Sequence, residues 1–196
     1  DELFDLRRSL STIADMVKIL NHSDDDDEPE DGWKREKKYP YPALHRLSQD
    51  VVTFPQLIQR IDQILDKFGK IRDNATPELL QIRRELAKTE GSISRTLYSI
   101  LRSAQSEGIV EKDVTPTLRD GRLVIPVIPT LKRKIKGIVH DESATGKTVF
   151  IEPTEVVEAN NRVRELEGEE RKEIIRILTD FTNKVRPDRK STRLNS

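Results

Sequence analysis

Apolar side chains recur three and four positions apart over the first part of the chain. This spacing predicts an amphipathic helix over residues 2–20, whose apolar stripe could pack against partner helices. Helical spacing returns near Ala43 and, after Pro55, continues until Gly69, a residue type that often ends helices. Two shorter helices are therefore expected in this region. The stripe of the first helix consists of Leu3, Leu6, Leu10, Ile13, Val17 and Leu20.

Residues 76–78 have the sequence pattern that starts a helix, and they predict a longer helix from this point. Thr76 can cap the helix, Pro77 suits its first position, and Glu78 places a negative charge near the positive end of the helix dipole. Apolar residues then recur at seven-residue intervals, so the helix is expected to reach about residue 107 and to span on the order of 45 Å. The heptad positions are Leu79, Leu86, Ile93 and Ile100.

From residue 109 the apolar residues alternate with polar ones, which predicts three or four short strands with a hairpin turn at Asp120-Gly121. Another long helical pattern starts at Pro153. Because three or four short strands cannot form a large core alone, we expect a small subdomain inserted between two long, antiparallel helices. The predicted fold class is mainly α with a small antiparallel β subdomain.

Composition adds limits rather than a function. Charged residues make up 36% of the chain and hydrophobic residues 34%, which suits long helices with much exposed surface. The 35 basic residues balance the 35 acidic ones, so a nucleic-acid surface requires local segregation of charge. The absence of cysteine excludes disulfides and thiolate metal sites. Since no apolar run is long enough for a membrane span, we expect no membrane partner and a cytoplasmic protein.

Both ends of the chain are expected to be artificial. The first residues already show helical spacing without a capping residue ahead of them, so the chain is interpreted as a piece of a longer protein. Residues 188–196 resemble the translation of a sequencing adapter and are left out of the fold prediction.

The most informative charged segment lies within the predicted β subdomain. Lys132, Arg133, Lys134 and Lys136 place four cations in five residues, and residues 109–152 contain eight basic residues against six acidic ones. Lysine and arginine bind backbone phosphates without reading the base sequence, so this segment is a candidate phosphate-contacting surface. A solvated strand face remains the alternative. Further cations nearby are Arg119, Arg122 and Lys147.

Other candidate motifs favour structural interpretations. Gly146-Lys147-Thr148 resembles the end of a phosphate-binding P-loop, but Asp141 occupies the position of the required first glycine, so a hairpin turn is predicted. Residues 140–143 offer a histidine, two acids and a hydroxyl, but hydrolytic triads join residues from separate positions, so a polar turn is expected. The acidic residues 24–31 lack the spacing of a calcium loop and are expected to form a solvated loop. No catalytic, cofactor-binding or metal-binding residue is assigned.

Several stretches resemble a known family. Residues 138–153, preceded by residues 121–126 and followed by Asn160-Asn161, resemble the second, recombination-suppressing branch of the bacterial MutS family. Residues 75–83 resemble the start of that family's lever helix. Lys147 departs from the resemblance, because a small or neutral residue is expected there.

The resemblance implies a MutS-like arrangement of core, lever and clamp. Its expected segments are a helical core part over 1–75, a first lever helix over 76–108, a β-rich clamp over 109–152, a returning lever helix over 153–187 and an artefactual tail over 188–196. The whole protein is then expected to be a dimeric ATPase that uses ATP and Mg²⁺, binds branched or duplex DNA, and carries an Smr-type endonuclease domain. The phosphate contacts would come from Arg119, Arg122, Lys132, Arg133, Lys134, Lys136 and Lys147.

Two other functional hypotheses remain open. The long helices could form a coiled-coil interaction module that engages a ribosome or a partner protein, because heptad-spaced leucines serve packing in many contexts. A free-standing enzyme that uses His140 ranks last.

Overall fold

The computed structural model describes residues 1–22 and 39–186. The chain divides into two compact units, and the boundary lies between Ala75 and Thr76. Most of the described residues are helical, and the one sheet among them has four short antiparallel strands. The prediction of a mainly helical chain with a small antiparallel sheet is therefore confirmed. The predicted acidic loop at 24–31 and the tail at 188–196 lie outside the described residues.

The first unit contains three helices, α1 (Glu2–Asn21), α2 (Pro42–Ser48) and α3 (Pro55–Ile64). Helix α1 packs against both of the others. Arg7 Nε donates to Asp62 Oδ1 at 2.9 Å and so links α1 to α3. No residue of α1 is fully buried within the described part of the chain. The apolar stripe predicted for this helix is thus only partly covered.

Helix α3 ends five residues before the predicted stop at Gly69, so that boundary was wrong. The carboxylate of Asp66 accepts hydrogen bonds from the backbone N–H groups of Phe68 (2.8 Å) and Lys70 (2.9 Å). Short polar side chains of this kind compete with the helical backbone pattern and favour turns. Gly69 has a φ of +80° and forms part of this turn. Phe68 is consequently 70% exposed instead of lying on a buried helical face.

The second unit is built on two long helices, α4 (Pro77–Ser106) and α5 (Val157–Val185). The side chain of Arg83 pairs with Glu170 at 2.7 Å, and Glu85 pairs with Arg162 at 2.9 Å. Partner numbers on α5 fall as the numbers on α4 rise, so the two helices run antiparallel, as predicted.

Thr76 caps helix α4 and also joins it to α5. Its Oγ1 accepts a hydrogen bond from the Leu79 N–H at 3.1 Å, as the sequence predicted. The same hydroxyl donates to Glu173 Oε1 at 2.7 Å. Glu173 is only 8% exposed, and Arg176 also donates to its carboxylate. One threonine hydroxyl therefore accepts a free backbone N–H at the start of α4 and donates to a buried carboxylate on α5.

Four strands follow α4. They are β1 (Thr117–Arg119), β2 (Arg122–Val127), β3 (Gly137–Glu142) and β4 (Val149–Pro153), in the order β1-β2-β4-β3. Asp120 and Gly121 join β1 to β2, with φ values of +49° and +74°. Positive φ at both central residues is what a tight hairpin turn requires, so the turn prediction is confirmed. The last helix starts later than predicted, because β4 continues through Pro153 and a 3-10 turn (Thr154–Val156) precedes α5.

The sheet and the helix pair share one hydrophobic core. The C-terminal half of α4, one face of β2 and β4, and the start of α5 contribute to it. The alternation of β2 and β4 directs every second side chain toward the helices, and the heptad face of α4 meets them. The core residues from the helices include Ile93, Leu97, Leu101 and Val163, those from the strands are Ile125, Val127, Val149 and Ile151, and Val156 comes from the 3-10 turn before α5.

Replacing Thr76 with alanine should lower the free energy of unfolding by about 1–2 kcal/mol, because α4 loses its N-cap and Glu173 loses a donor. Urea denaturation at neutral pH measures this change. Thr76→Ser is the matched control, since serine keeps the hydroxyl, and it should stay close to the original stability. Equal stability of the alanine and serine variants would contradict the capping role.

Candidate nucleic-acid interface

The basic loop, residues 129–136, connects β2 to β3. These two strands lie on either side of β4, so the loop crosses from one end of the sheet to the other. Pro129 starts a 3-10 turn that runs to Lys134. Ile135 is buried in the shared core and Leu131 packs against that core. The apolar residues therefore anchor the loop, while Lys132, Arg133, Lys134 and Lys136 are exposed.

The exit of the basic loop is fixed by a close backbone contact. The carbonyl of Lys136 accepts a hydrogen bond from the Thr154 N–H at 3.1 Å. At the next position, a Cβ added to Gly137 would lie 2.2 Å from the carbonyl oxygen of Glu152. Only glycine fits at such a distance, because no side-chain atom can approach backbone that closely. The path of the loop is thereby set by the strands it joins.

The remaining predicted cations divide between the two ends of the sheet. Arg119 is paired with Arg122 in the β1–β2 register, at the end of the sheet where Lys136 enters β3. The Arg119 guanidinium lies 4.1 Å from the centre of the Phe150 ring, within cation–π range. Lys147 lies at the opposite end of β3, in the turn before β4. Lys147 and Lys136 are therefore separated by the length of β3, about 17 Å.

The Gly146-Lys147-Thr148 motif forms a hairpin turn, as predicted. Ser143 N donates to the Thr148 carbonyl at 2.8 Å, and Gly146 N donates to the Ser143 carbonyl at 2.7 Å. Gly146 has a φ of +68°. A strand follows the motif, whereas a phosphate-binding P-loop requires a helix there.

Arg122 is engaged within the molecule. Its guanidinium donates to Glu152 Oε1 at 2.7 Å and to Asn161 Oδ1 at 2.6 Å. Asn160 Nδ2 donates to the same Glu152 oxygen at 2.8 Å, and His140 Nε2 contacts the other carboxylate oxygen. The side chain of Glu152 is fully buried, so Arg122 neutralises a buried charge rather than facing solvent.

Glu152 was not among the residues predicted from the sequence. One signal could have found it, since a single charged residue interrupts the apolar strand Val149–Pro153. Charged residues are almost never fully buried unless they are paired. Asn160-Asn161, which belongs to the stretch that resembles the MutS family, supplies part of that pairing.

The electrostatics of Glu152 follow from these contacts. Burial by itself raises the pKa of the carboxyl, because it penalises the charged form. Hydrogen bonds from His140, Asn160 and Arg122, with the charge of Arg122, outweigh burial and leave the pKa below its ordinary value. The folded state therefore favours the ionised carboxylate. This contribution to stability is present above the ordinary carboxyl pKa and is lost as the pH falls through the lowered folded value.

Residues 140–143 form no hydrolytic arrangement. His140 faces Glu152 on the neighbouring strand, and the Ser143 hydroxyl accepts the Thr148 N–H at 3.0 Å within the hairpin turn. The polar turn predicted over these residues begins only at Ser143, because β3 continues to pair with β4 as far as Glu142. Within residues 1–22 and 39–186, no group of three acidic or histidine side chains could hold a metal ion, and no helix could cross a membrane.

No protein-family model matches the chain. Three curated proteins that do match are each named Endonuclease MutS2. The protein of Lacticaseibacillus paracasei is 35% identical over 95% of this chain, that of Geobacillus sp. 38% over 94%, and that of Enterococcus faecalis 33% over 100%. The chain spans 22%, 22% and 23% of their respective lengths, or about a fifth of each relative. It belongs to the MutS family, and within that family to the MutS2 branch.

Replacing Glu152 with glutamine should lower the free energy of unfolding by about 3 kcal/mol, because the Arg122 charge loses its buried partner. Between pH 5 and pH 3, on either side of the ordinary carboxyl pKa of about 4, the original chain should lose more stability than the variant. Urea denaturation at a series of pH values measures both effects.

Glu155→Gln is the matched control for this experiment, since Glu155 is exposed and lies three residues away. Its stability should stay within about 0.5 kcal/mol of the original chain. If Glu152→Gln were no more destabilising than Glu155→Gln, the buried carboxylate would not have the stabilising role described above.

Proposed function

We propose that this chain supplies the DNA-clamping part of a MutS2 protein. In this assignment residues 1–75 belong to the core, 76–108 and 153–187 form the lever pair, and 109–152 form the clamp. The family membership, the antiparallel pair α4–α5 and the small sheet that shares a core with it support the assignment. The observation that carries the DNA-binding role is the basic loop, which is anchored by apolar residues and exposes only cations among its charged side chains.

The phosphate contacts in this proposal come chiefly from the basic loop. Lys132, Arg133, Lys134 and Lys136 are exposed, and the loop itself contains no acidic residue. Such a surface binds the phosphate backbone through counterion release, without sequence readout. Arg119 and Lys147 extend the positive surface toward the two ends of the sheet. Arg122 contributes indirectly, since it neutralises Glu152 and thereby holds β2 against β4.

The activity of the whole protein is part of the same proposal. The relatives are named endonucleases, and we propose that the protein containing this chain cleaves nucleic acid with a domain outside the chain. ATP and Mg²⁺ would bind outside it as well. Two copies in a homodimer would close their clamps around branched or duplex DNA, and this would suppress recombination.

Replacing Lys132, Arg133, Lys134 and Lys136 together with glutamine should weaken binding of the chain to duplex DNA. Each phosphate contact that is removed lowers the slope of log affinity against log salt by about 0.9, so removing four lowers it by about 3 to 4. Fluorescence anisotropy over a series of salt concentrations measures both quantities.

A matched control replaces four other exposed cations, which lie on α5 and at its end: Arg164, Arg171, Lys172 and Arg186. Their replacement with glutamine removes the same charge but should leave the slope nearly unchanged. Equal effects of the two quadruple variants would reject the basic loop as the contact surface. Loss of ribosome binding without loss of DNA binding would favour the interaction-module hypothesis instead.

A further inference from the structure

The solvent-facing side of α4 carries a second concentration of positive charge, which we call the α4 stripe. Its cations are Arg84, Lys88, Arg95 and Arg102, all exposed. Their spacing of four and seven residues places them along one side of the helix over about 27 Å. The face opposite to it contains the buried residues Leu97 and Leu101, which pack into the core.

Among the described residues, the cations of the α4 stripe are not ion-paired, although Glu85 lies three positions before Lys88. Glu85 pairs with Arg162 of α5 at 2.9 Å, and Glu78 lies 3.8 Å from Arg176 of the same helix. Glu90 follows Lys88 by two positions, and residues so spaced do not face each other on a helix. In the part of the chain that the structure describes, none of the four stripe cations lies within ion-pair distance of an acidic side chain.

An aromatic ring interrupts the cations. Tyr98 is 47% exposed and follows Arg95 by three positions and precedes Arg102 by four, so both arginines are its neighbours on the helix surface. Three serines line the same part of the helix surface. The shallow depression on this face is lined by Ser94, Arg95, Tyr98, Ser99, Arg102 and Ser103.

The geometry points to a binding surface for an unpaired strand of nucleic acid. Arginine and serine side chains bind backbone phosphates, and an exposed aromatic ring between them is a platform on which a base can stack. In a duplex the faces of the bases are covered by their neighbours, so only an unpaired strand can use the Tyr98 ring. Because Glu85 is engaged by Arg162, the four cations of the stripe keep their charge available, which favours a polyanion over a protein partner. The inference rests on the proposed function only for the source of the strand, since branched DNA exposes unpaired segments.

Tyr98→Ala in the full chain should weaken binding to a labelled single-stranded polythymidine by about tenfold or more, because the ring on which one base stacks is removed. Duplex binding should change by less than twofold. Tyr98→Phe keeps the ring and should bind the single strand normally. Phe68→Ala is the matched control, since Phe68 is also an exposed aromatic residue and should have no effect on binding. Normal single-strand affinity of Tyr98→Ala, or an equal loss for duplex and single strand, would overturn the inference.

Replacing Arg95 and Arg102 together with glutamine tests the phosphate contacts independently of the ring. Removing two phosphate contacts with a single strand should lower the salt slope by about 1.4. The control variant replaces Arg171 and Lys172 with glutamine, which removes the same charge from exposed positions of α5. An unchanged slope for the Arg95 and Arg102 variant would overturn the inference.

These experiments can reject the basic loop and the α4 stripe independently of each other. If the quadruple variant of the basic loop leaves duplex binding unchanged while Tyr98→Ala weakens single-strand binding, the proposed clamp contact is wrong and the α4 stripe stands. If the reverse holds, the stripe is rejected and the clamp contact stands.

Discussion

The fully buried carboxylate of Glu152 is the interaction on which the second unit depends. It lies on β4 and receives Arg122 from β2, His140 from β3 and Asn160 from α5. Three strands and the returning helix therefore converge on one charge. A charge without partners at this position would be strongly unfavourable, so the carboxylate requires all these elements to be in register. The nonpolar core provides most of the burial, and this network links the three strands and the helix at a single buried charge.

A similar arrangement secures the other end of the helix pair. Glu173 on α5 is nearly buried and accepts the hydroxyl of Thr76, which also caps α4. The pKa of the Glu173 carboxyl is lowered by its hydrogen bond with Arg176 and then by that with Thr76, which together outweigh the effect of burial. Both ends of the α4–α5 pair thus combine a buried carboxylate on one element with donors from others.

This division of labour leaves the exposed cations available for function. Arg122 balances Glu152, and Arg162 balances Glu85, so these arginines serve the fold. The basic loop is anchored to the core by Leu131 and Ile135, and its end is fixed where the backbone of Gly137 packs closely against that of Glu152. The path of the loop fixes the positions of its lysines. Among the described residues, no acidic side chain is paired with them and would compete with a polyanion. Binding to such a preorganised surface loses less conformational entropy than binding to a flexible one.

The sequence by itself determined the elements whose signals are local. The cap at Thr76, the heptad face of α4 and the two-residue turn at Asp120-Gly121 depend on neighbouring residues, so periodicity and turn chemistry predicted them. The positive charge of the basic loop could also be predicted, because its four cations lie within five consecutive residues. The end of α3 was mispredicted, since the Asp66 turn competes with a helical pattern that would otherwise continue. The apolar neighbours of Glu152 on its strand indicate burial, but only the tertiary structure decided its pairing with Arg122, since their contact joins residues thirty positions apart. Pairing across that distance depends on how strands and helices meet, which no local pattern encodes.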